Sequence, residues 1–139
     1  MTLLLDSGVV YAYYDADDRW HDPVRELLDD ETGPLVVPAV VIPEVDHLLG
    51  VRIGHTAQLA LYEDLVAGVY LTVDLEADRY ARVLDLNRRY ADLALGFVDA
   101  AVAALAEQFG LERLATTDRR HFPAITADVA LDLVPHPPL

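Results

Sequence analysis

The chain has 139 residues, 53% of them apolar, a formal net charge of −14 and no cysteine. This length suits one domain with a substantial core, and the missing cysteines exclude disulfides, thiolate nucleophiles and thiolate zinc sites. The negative charge argues against non-specific binding of nucleic acid through the overall field, although it does not exclude an enzyme acting on nucleic acid whose metal ions and local arginines offset the repulsion.

Short apolar runs broken by glycine, proline and acidic residues predict strands that alternate with helices. The predicted strands span residues 2–6, 35–37, 69–73, 114–116 and 130–134. The predicted helices span residues 9–13, 21–28, 41–49, 55–67, 75–90 and 97–109, with a turn or short helix at 119–122. Because strands and helices alternate, we predict an α/β fold with one parallel sheet of about five strands, covered by helices on both faces.

Nothing in the sequence marks a linker or a repeat, so we predict a single domain over residues 1–139, with the proline-rich residues 135–139 as a frayed tail. No apolar run approaches the roughly 20 residues of a membrane span. The apolar N-terminal stretch lacks the preceding basic region of a signal peptide. Together with the absence of cysteine, this favours a cytoplasmic protein that does not associate with a membrane.

Four acidic residues stand at the end of a predicted strand or the start of a predicted helix: Asp6, Glu44, Asp99 and Asp118. Because the carboxyl ends of parallel strands meet at one edge of a sheet, we expect these side chains to converge there. Carboxylates so close together would repel one another and would need cations. The pattern therefore indicates a site for a hard metal ion with oxygen ligands.

Each acid also has an interpretation that involves no ligand. Asp6 and Asp118 could cap helices or turns, Glu44 could be an exposed first-turn acid, and Asp99 could favour the dipole of its helix. Asp99 is the most informative, because it is the only polar side chain from residue 97 to 106 and a lone carboxylate facing the core would be costly. No single acid decides between the interpretations, whereas the conjunction of four favours a site.

Four segments resemble, in order, the motifs of the PIN-domain ribonucleases, and most of all those of the VapC-type toxins of bacterial toxin–antitoxin pairs. They are Leu-Leu-Asp6-Ser7, Val-Pro-Ala-Val-Val-Ile-Pro-Glu44-Val, Asp92-Leu-Ala-Leu-Gly-Phe-Val-Asp99-Ala and Ala-Thr116-Thr117-Asp118-Arg-Arg-His-Phe122. The resemblance implies a three-layer α/β/α fold and an endoribonuclease that depends on Mg²⁺ or Mn²⁺ and hydrolyses RNA phosphodiester bonds with a metal-activated water. It also implies a cognate antitoxin.

By this resemblance, four acids form the quartet that binds metal and carries catalysis: Asp6, Glu44, Asp99 and Asp118. Glu44 either joins the metal ligands or orients the attacking water. Ser7 and Thr116 are expected to hold carboxylates or phosphate by hydrogen bonds. Asp92 falls where some members of the family have an extra acid, and we regard it as secondary.

The sequence departs from the commonest family pattern after Thr116. Thr117 stands where asparagine is frequent, and Arg119-Arg120-His121 stands where another acid often precedes the phenylalanine. The missing acid leaves the number of metal ions open. Arg119 and Arg120 bring positive charge beside the site and are expected to contact an RNA phosphate. His121 is not counted among the site residues.

Apolar side chains are abundant near the start of the chain and in the middle of one predicted helix. Tyr11, Tyr13, Tyr14 and the stretch 59–65 carry them. They are either ordinary core or a face that binds an antitoxin or forms a homodimer.

Other functions are open as alternatives. The chain could be a catalytically inactive PIN-like binding module, or a PIN nuclease that acts on DNA or housekeeping RNA without an antitoxin. The presence of all four acids argues against the inactive module. A receiver-type phosphorylation switch also has strand-end aspartates, but it needs a lysine, and all ten basic residues here are arginine.

Overall fold

Short parallel strands form the centre of the fold in a computed structural model that describes residues 2–126 and 128–135. The strands are β1 (Leu3–Leu5), β2 (Leu35–Pro38), β3 (Leu71–Val73), β4 (Arg113–Ala115) and β5 (Asp132–Val134). The helices are α1 (Ser7–Tyr14), α2 (His21–Asp30), α3 (Ile42–Arg52), α4 (His55–Val66), α5 (Tyr80–Arg89), α6 (Gly96–Gln108) and α7 (His121–Ile125). Short 3₁₀ turns lie at Ala39–Val41, Ala77–Arg79 and Ala91–Leu93.

The sheet has the strand order β3-β2-β1-β4-β5, and every pairing between neighbouring strands is parallel. β1 is central and its three leucines are fully buried, because helices cover both faces of a parallel sheet. β3 is an edge strand, and Leu71 on it is largely exposed. The prediction of an α/β fold with one parallel sheet between helical layers is confirmed.

Helix α6 packs in the interior of the protein. All residues from Ala100 to Ala106 are buried, and five of these seven are alanine, so neighbouring elements can approach the helix closely. Asp99 lies in the first turn of the same helix. Within the described residues, no helix is both long enough and apolar enough to cross a membrane.

Several predicted elements are shorter in the structure, among them the strands 2–6 and 130–134, which are Leu3–Leu5 and Asp132–Val134. Two further cases have a visible cause. The predicted strand 69–73 begins only at Leu71, because Gly68 adopts a positive φ and Val69 donates its N–H to the Asp64 carbonyl, which closes α4. The predicted helix 75–90 begins only at Tyr80, because the extended backbone of Glu76 leads into a 3₁₀ turn.

The tyrosines near the start of the chain belong mainly to the core. Tyr11 is buried and donates its hydroxyl to Asp15, and Tyr14 donates to Asp64 at 2.6 Å. In the stretch 59–65, Leu61 is buried whereas Leu59 is exposed. These tyrosines and the stretch 59–65 therefore supply side chains both to the core and to the surface.

The proline-rich end of the chain is described only in part. Pro135 is buried, and its carbonyl accepts a hydrogen bond from the Arg119 guanidinium. The rest of the predicted tail, residues 136–139, lies outside the described residues.

Candidate functional site

Asp6 joins the end of β1 to the start of α1. One carboxylate oxygen, Oδ1, accepts the backbone N–H of Ser7 at 2.7 Å, so Asp6 caps the helix. The other, Oδ2, accepts the Thr116 hydroxyl at 3.0 Å. Within the described residues, Asp6 and Thr116 are the buried polar side chains apart from the tyrosines, and Asp6 is only 3% exposed. The capping interpretation and the site interpretation of Asp6 are therefore compatible.

Thr116 links two of the predicted acids. Its hydroxyl donates to Asp6 and accepts the backbone N–H of Asp118 at 3.0 Å. Asp118 in turn accepts the N–H groups of Arg120 and His121 on Oδ1, both at 2.8 Å, which shapes the turn into α7. The second oxygen of Asp118, Oδ2, is left to face the remaining acid.

Asp99 completes the cluster from the first turn of α6. Its Oδ2 lies 2.5 Å from Nδ1 of His121, and Oδ2 of Asp118 lies 3.2 Å from the same nitrogen. One potential ligand atom from each of Asp99, Asp118 and His121 lies within 4.8 Å of the other two. The structure therefore brings His121, which the sequence interpretation had left out, directly among the acids.

Mutual repulsion shows that the three aspartates share one electrostatic site. Burial and the charges of Asp99 and Asp118 together raise the pKa of Asp6 to about 7, against hydrogen bonds from Ser7 and Thr116 that lower it. Burial also raises the pKa of Asp99; the hydrogen bond with His121 opposes this shift, and the charge of Asp118 adds to it. A cluster of oxygen donors whose charges repel one another fits a divalent cation.

Within the described residues, the close group of donor atoms comes from Asp99, Asp118 and His121, and Glu44, Asp92 and Asp6 add none to it. Asp6 is linked to this group through Thr116. Glu44 lies in the first turn of α3, after the 3₁₀ turn that follows β2, and its side chain is exposed. Asp92 is exposed in the 3₁₀ turn Ala91–Leu93. Their predicted roles stay predictions.

The two arginines after Asp118 differ in their surroundings. The Arg119 guanidinium lies 5.1 Å from the centre of the Trp20 ring and donates to the Pro135 carbonyl. Burial lowers the pKa of Arg119. Arg120 is exposed. Arg119 thus contributes to the fold, and the expected contact with RNA stays a prediction for both residues.

Gly8 and Thr117 meet where α1 begins beside the site. A Cβ atom on Gly8 would lie 2.2 Å from Oγ1 of Thr117 and 3.5 Å from its Cβ. The first distance is far below van der Waals contact, and the second is ordinary contact. A larger residue here would therefore force the Thr117 hydroxyl to rotate or move away.

The variant Gly8→Ala is expected to lower the free energy of unfolding by about 1–2 kcal/mol, because overpacking outweighs the gain in helix propensity. The double variant Gly8→Ala with Thr117→Ala should recover most of this loss, since the clashing oxygen is gone. Urea denaturation of both variants and of Thr117→Ala alone measures the coupling. A Gly8→Ala protein as stable as the parent would contradict the close contact.

Comparison with known proteins places this arrangement in a family. The model of the PIN domain family matches residues 3–127. A curated relative, Ribonuclease VapC26 of Mycobacterium tuberculosis (strain ATCC 25618 / H37Rv), is 32% identical over 123 residues, which cover 88% of this chain and 91% of the relative.

Solved structures share the fold at lower sequence identity. VapC20 of Mycobacterium tuberculosis, described as a toxin that cleaves the sarcin–ricin loop, superposes with a TM-score of 0.80 at 22% identity, over 88% of this chain and 94% of that one. VapBC2 of Rickettsia felis, solved with a promoter DNA fragment, superposes with a TM-score of 0.70 at 15% identity, over 97% of this chain and 100% of that one. From the family match, the 32% identical relative and the shared fold, we conclude that this chain belongs to the PIN-domain family, within its VapC group.

Proposed function

We propose that this chain is a metal-dependent endoribonuclease that acts as the toxin of a toxin–antitoxin pair. The observation that carries the proposal is the cluster of Asp6, Asp99 and Asp118, in which burial and mutual repulsion raise the pKa of Asp6 to about 7. A bound cation would offset the repulsion between the negative charges in this buried site. The ribonuclease activity in the name of the 32% identical relative supports the assignment.

Asp6, Asp99 and Asp118 would hold the cation, which we propose to be Mg²⁺ or Mn²⁺. When bound, such a cation supplies Lewis-acid stabilisation of the phosphodiester charge and lowers the pKa of a bound water. Thr116 fixes Asp6 and the backbone of Asp118 relative to each other through its hydroxyl. Ser7 holds the other oxygen of Asp6. These bonds keep the carboxylates in place when no cation offsets their repulsion.

Glu44 and Asp92 are proposed to act from the rim of the site. Glu44 is exposed at the end of α3 that follows β2, next to β1 in the sheet, so it can reach a bound substrate and orient the attacking water. The attack forms a bond from water oxygen to phosphorus and breaks the bond from phosphorus to the 3′ oxygen. The products would carry 5′-phosphate and 3′-hydroxyl ends. Asp92 has a secondary role at most.

RNA is proposed to bind through local contacts, because a net charge of −14 repels phosphates at a distance. Arg120 is exposed beside Asp118 and is placed to contact a phosphate. Arg119 would support that turn through its contacts with Trp20 and Pro135. Specificity would then depend on groove shape and on contacts to unstacked bases.

Cleavage of a mixed cellular RNA pool by the purified chain tests the proposal. We expect discrete cuts in Mg²⁺ or Mn²⁺ and none in excess chelator. Asp30→Asn is the matched control for substitutions of the clustered aspartates, because Asp30 is exposed at the end of α2. A folded protein that cleaves no RNA with any metal would favour the inactive binding module. Cleavage that persists in chelator would overturn the metal dependence.

A cognate antitoxin and a homodimer are the proposed protein partners. Neighbours from Klebsiella pneumoniae and Rickettsia felis were solved as toxin–antitoxin complexes or with promoter DNA. This chain exposes large apolar side chains on α3, α4 and β3, among them Val51 of α3 at 71% and Val66 of α4 at 90%. Light scattering measures the mass of the chain alone, and co-purification with the product of a neighbouring small reading frame tests the antitoxin. A product that binds but leaves RNA cleavage unchanged would contradict the antitoxin role.

A further inference from the structure

His121 lies where a ligand of the cation would lie. Its Nδ1 is 2.5 Å from Oδ2 of Asp99 and 3.2 Å from Oδ2 of Asp118. Neighbouring ligand atoms around a six-coordinate cation with bonds of about 2.1 Å are about 3 Å apart. The three donor atoms are therefore spaced like adjacent ligands of one ion, after a small widening of the Asp99–His121 contact.

The backbone holds the imidazole in this position. His121 begins α7, and its N–H donates to Oδ1 of Asp118 at 2.8 Å. Phe122 and Ile125 on the same helix are fully buried, so α7 is anchored in the core. The side chain of His121 is only 20% exposed, which limits its freedom to turn outward.

A simple hydrogen bond accounts for only part of this geometry. One N–H on Nδ1 forms a linear hydrogen bond with only one carboxylate oxygen, and a second acceptor shares it only in a weaker three-centre geometry. Oxygens of two aspartates nevertheless converge on that nitrogen. A cation bound by the Nδ1 lone pair would engage both oxygens together with the nitrogen. The arrangement therefore suits coordination better than it suits one donor.

We propose that His121 is a nitrogen ligand of the cation in this site, and that this makes the site favour first-row transition-metal ions over Mg²⁺. The proposal rests on the proposed function, since it takes the cation to be bound by Asp99 and Asp118. Mg²⁺ is a hard ion that takes oxygen ligands, whereas transition-metal ions also accept imidazole. A histidine ligand in this position therefore favours transition-metal ions over Mg²⁺ more strongly than carboxylate ligands alone would.

Mn²⁺ binding to the full chain tests the proposal without any measurement of cleavage. Mn²⁺ is titrated into the metal-free protein, and pulsed EPR of the bound ion reports whether a nitrogen nucleus is coupled to it. We expect a nitrogen coupling in the parent protein that disappears in His121→Asn. Asparagine is the matched replacement, because its amide lies near the position of Nδ1 and keeps a hydrogen bond to an aspartate. His55→Asn, exposed at the start of α4, is the control.

The affinities give a second readout. His121→Asn is expected to weaken Mn²⁺ binding about tenfold or more, in line with the effects of altered metal surroundings. Mg²⁺ affinity, measured by competition, should change much less, so the preference for Mn²⁺ falls. Thermal unfolding of the metal-free variant shows whether it folds. The nitrogen coupling to Mn²⁺ in the parent protein is measured without any variant, so it tests the proposal even if the variant does not fold.

The outcomes separate this proposal from the proposed function. Bound Mn²⁺ without nitrogen coupling, or a coupling that persists in His121→Asn, overturns the ligand role of His121 alone. Metal-dependent RNA cleavage would stand in that case. Failure to bind either ion overturns both the ligand role and the metal dependence.

Discussion

Asp99→Asn is expected to reduce the rate of RNA cleavage in saturating Mg²⁺ by on the order of 10²–10³-fold, the usual cost of losing one group that stabilises developing charge. Asp99 is half-buried in the first turn of α6, and its carboxylate faces Asp118 and His121. Asparagine keeps the shape and removes the charge, so the cation is held less tightly. Single-turnover cleavage of one RNA substrate measures the effect.

The fold should survive this substitution. Burial raises the pKa of Asp99, so a neutral side chain at this position has a smaller desolvation cost than the carboxylate. The thermal unfolding midpoint is therefore expected to stay level or to rise. Asp30→Asn, which also removes one negative charge, should cleave like the parent protein. Full activity of a folded Asp99→Asn protein would remove Asp99 from the site.

Asp6→Asn is expected to stabilise the metal-free protein at pH 8 by about 2–4 kcal/mol while it abolishes cleavage. The carboxylate of Asp6 is buried and lies near the charges of Asp99 and Asp118, which together raise its pKa from 3.8 to about 7. Ionised Asp6 is therefore unfavourable in the folded chain. Asparagine accepts the Ser7 N–H with its amide oxygen and can donate to the Thr116 hydroxyl.

The effect of Asp6 on stability depends on pH in a definite direction. Below pH 3.8 the residue is protonated in both the folded and the unfolded state, so no penalty arises. As the pH rises to about 7, the unfolded chain loses this proton first, and stability falls by up to about 1.4 kcal/mol per pH unit. Above that range both states are ionised and the penalty is complete.

Urea denaturation in chelator at pH 4 and at pH 8 checks this prediction. The parent protein and Asp6→Asn should be nearly equal at the lower pH and well separated at the higher one. Addition of Mg²⁺ at pH 8 should raise the stability of the parent protein and narrow the difference, because a ligand of the folded state stabilises it. A variant less stable than the parent at pH 8 in chelator would show that hydrogen bonding outweighs repulsion at this site.

Most of the fold could be predicted from the sequence, because the type of each element follows from the spacing of apolar residues and from the glycines, prolines and acidic residues that interrupt it. Leu3-Leu4-Leu5 before Asp6 reads as a strand, and the structure pairs this strand on both sides, so that it is central in the sheet. Element ends were less predictable. Gly68 closes α4 through a left-handed turn, and the N–H of Val69 bonds to the Asp64 carbonyl, so β3 begins only after Val69. The alternation of apolar residues does not show this local bond.

Three of the four predicted acids converge in the structure because the end of β1, the end of β4 and the start of α6 share one side of the sheet. Parallel topology makes that convergence predictable for Asp6 and Asp118, whose strands are neighbours. The position of Glu44 relative to them depends on the side-chain conformation of an exposed residue, which no sequence pattern specifies.

The contacts of His121 and Arg119 could not be predicted from the sequence. His121 reaches Asp99 because the turn after Asp118 is held by two backbone N–H groups, and the available signal was its spacing three residues after Asp118. Arg119 packs over Trp20, a contact between positions 99 residues apart that composition does not reveal. Both outcomes depend on how α7 meets the rest of the chain.

The hydrogen bond between Thr116 and Asp6 joins positions 110 residues apart. During synthesis from the N-terminus, β1 and β2 emerge long before β4, Asp118 and His121, and such distant contacts form only after the intervening chain exists. A nascent chain that has not yet reached β4 has Asp6 and Asp99 but lacks Asp118 and His121. The site is therefore assembled only after β4 and the turn that follows it have been synthesised.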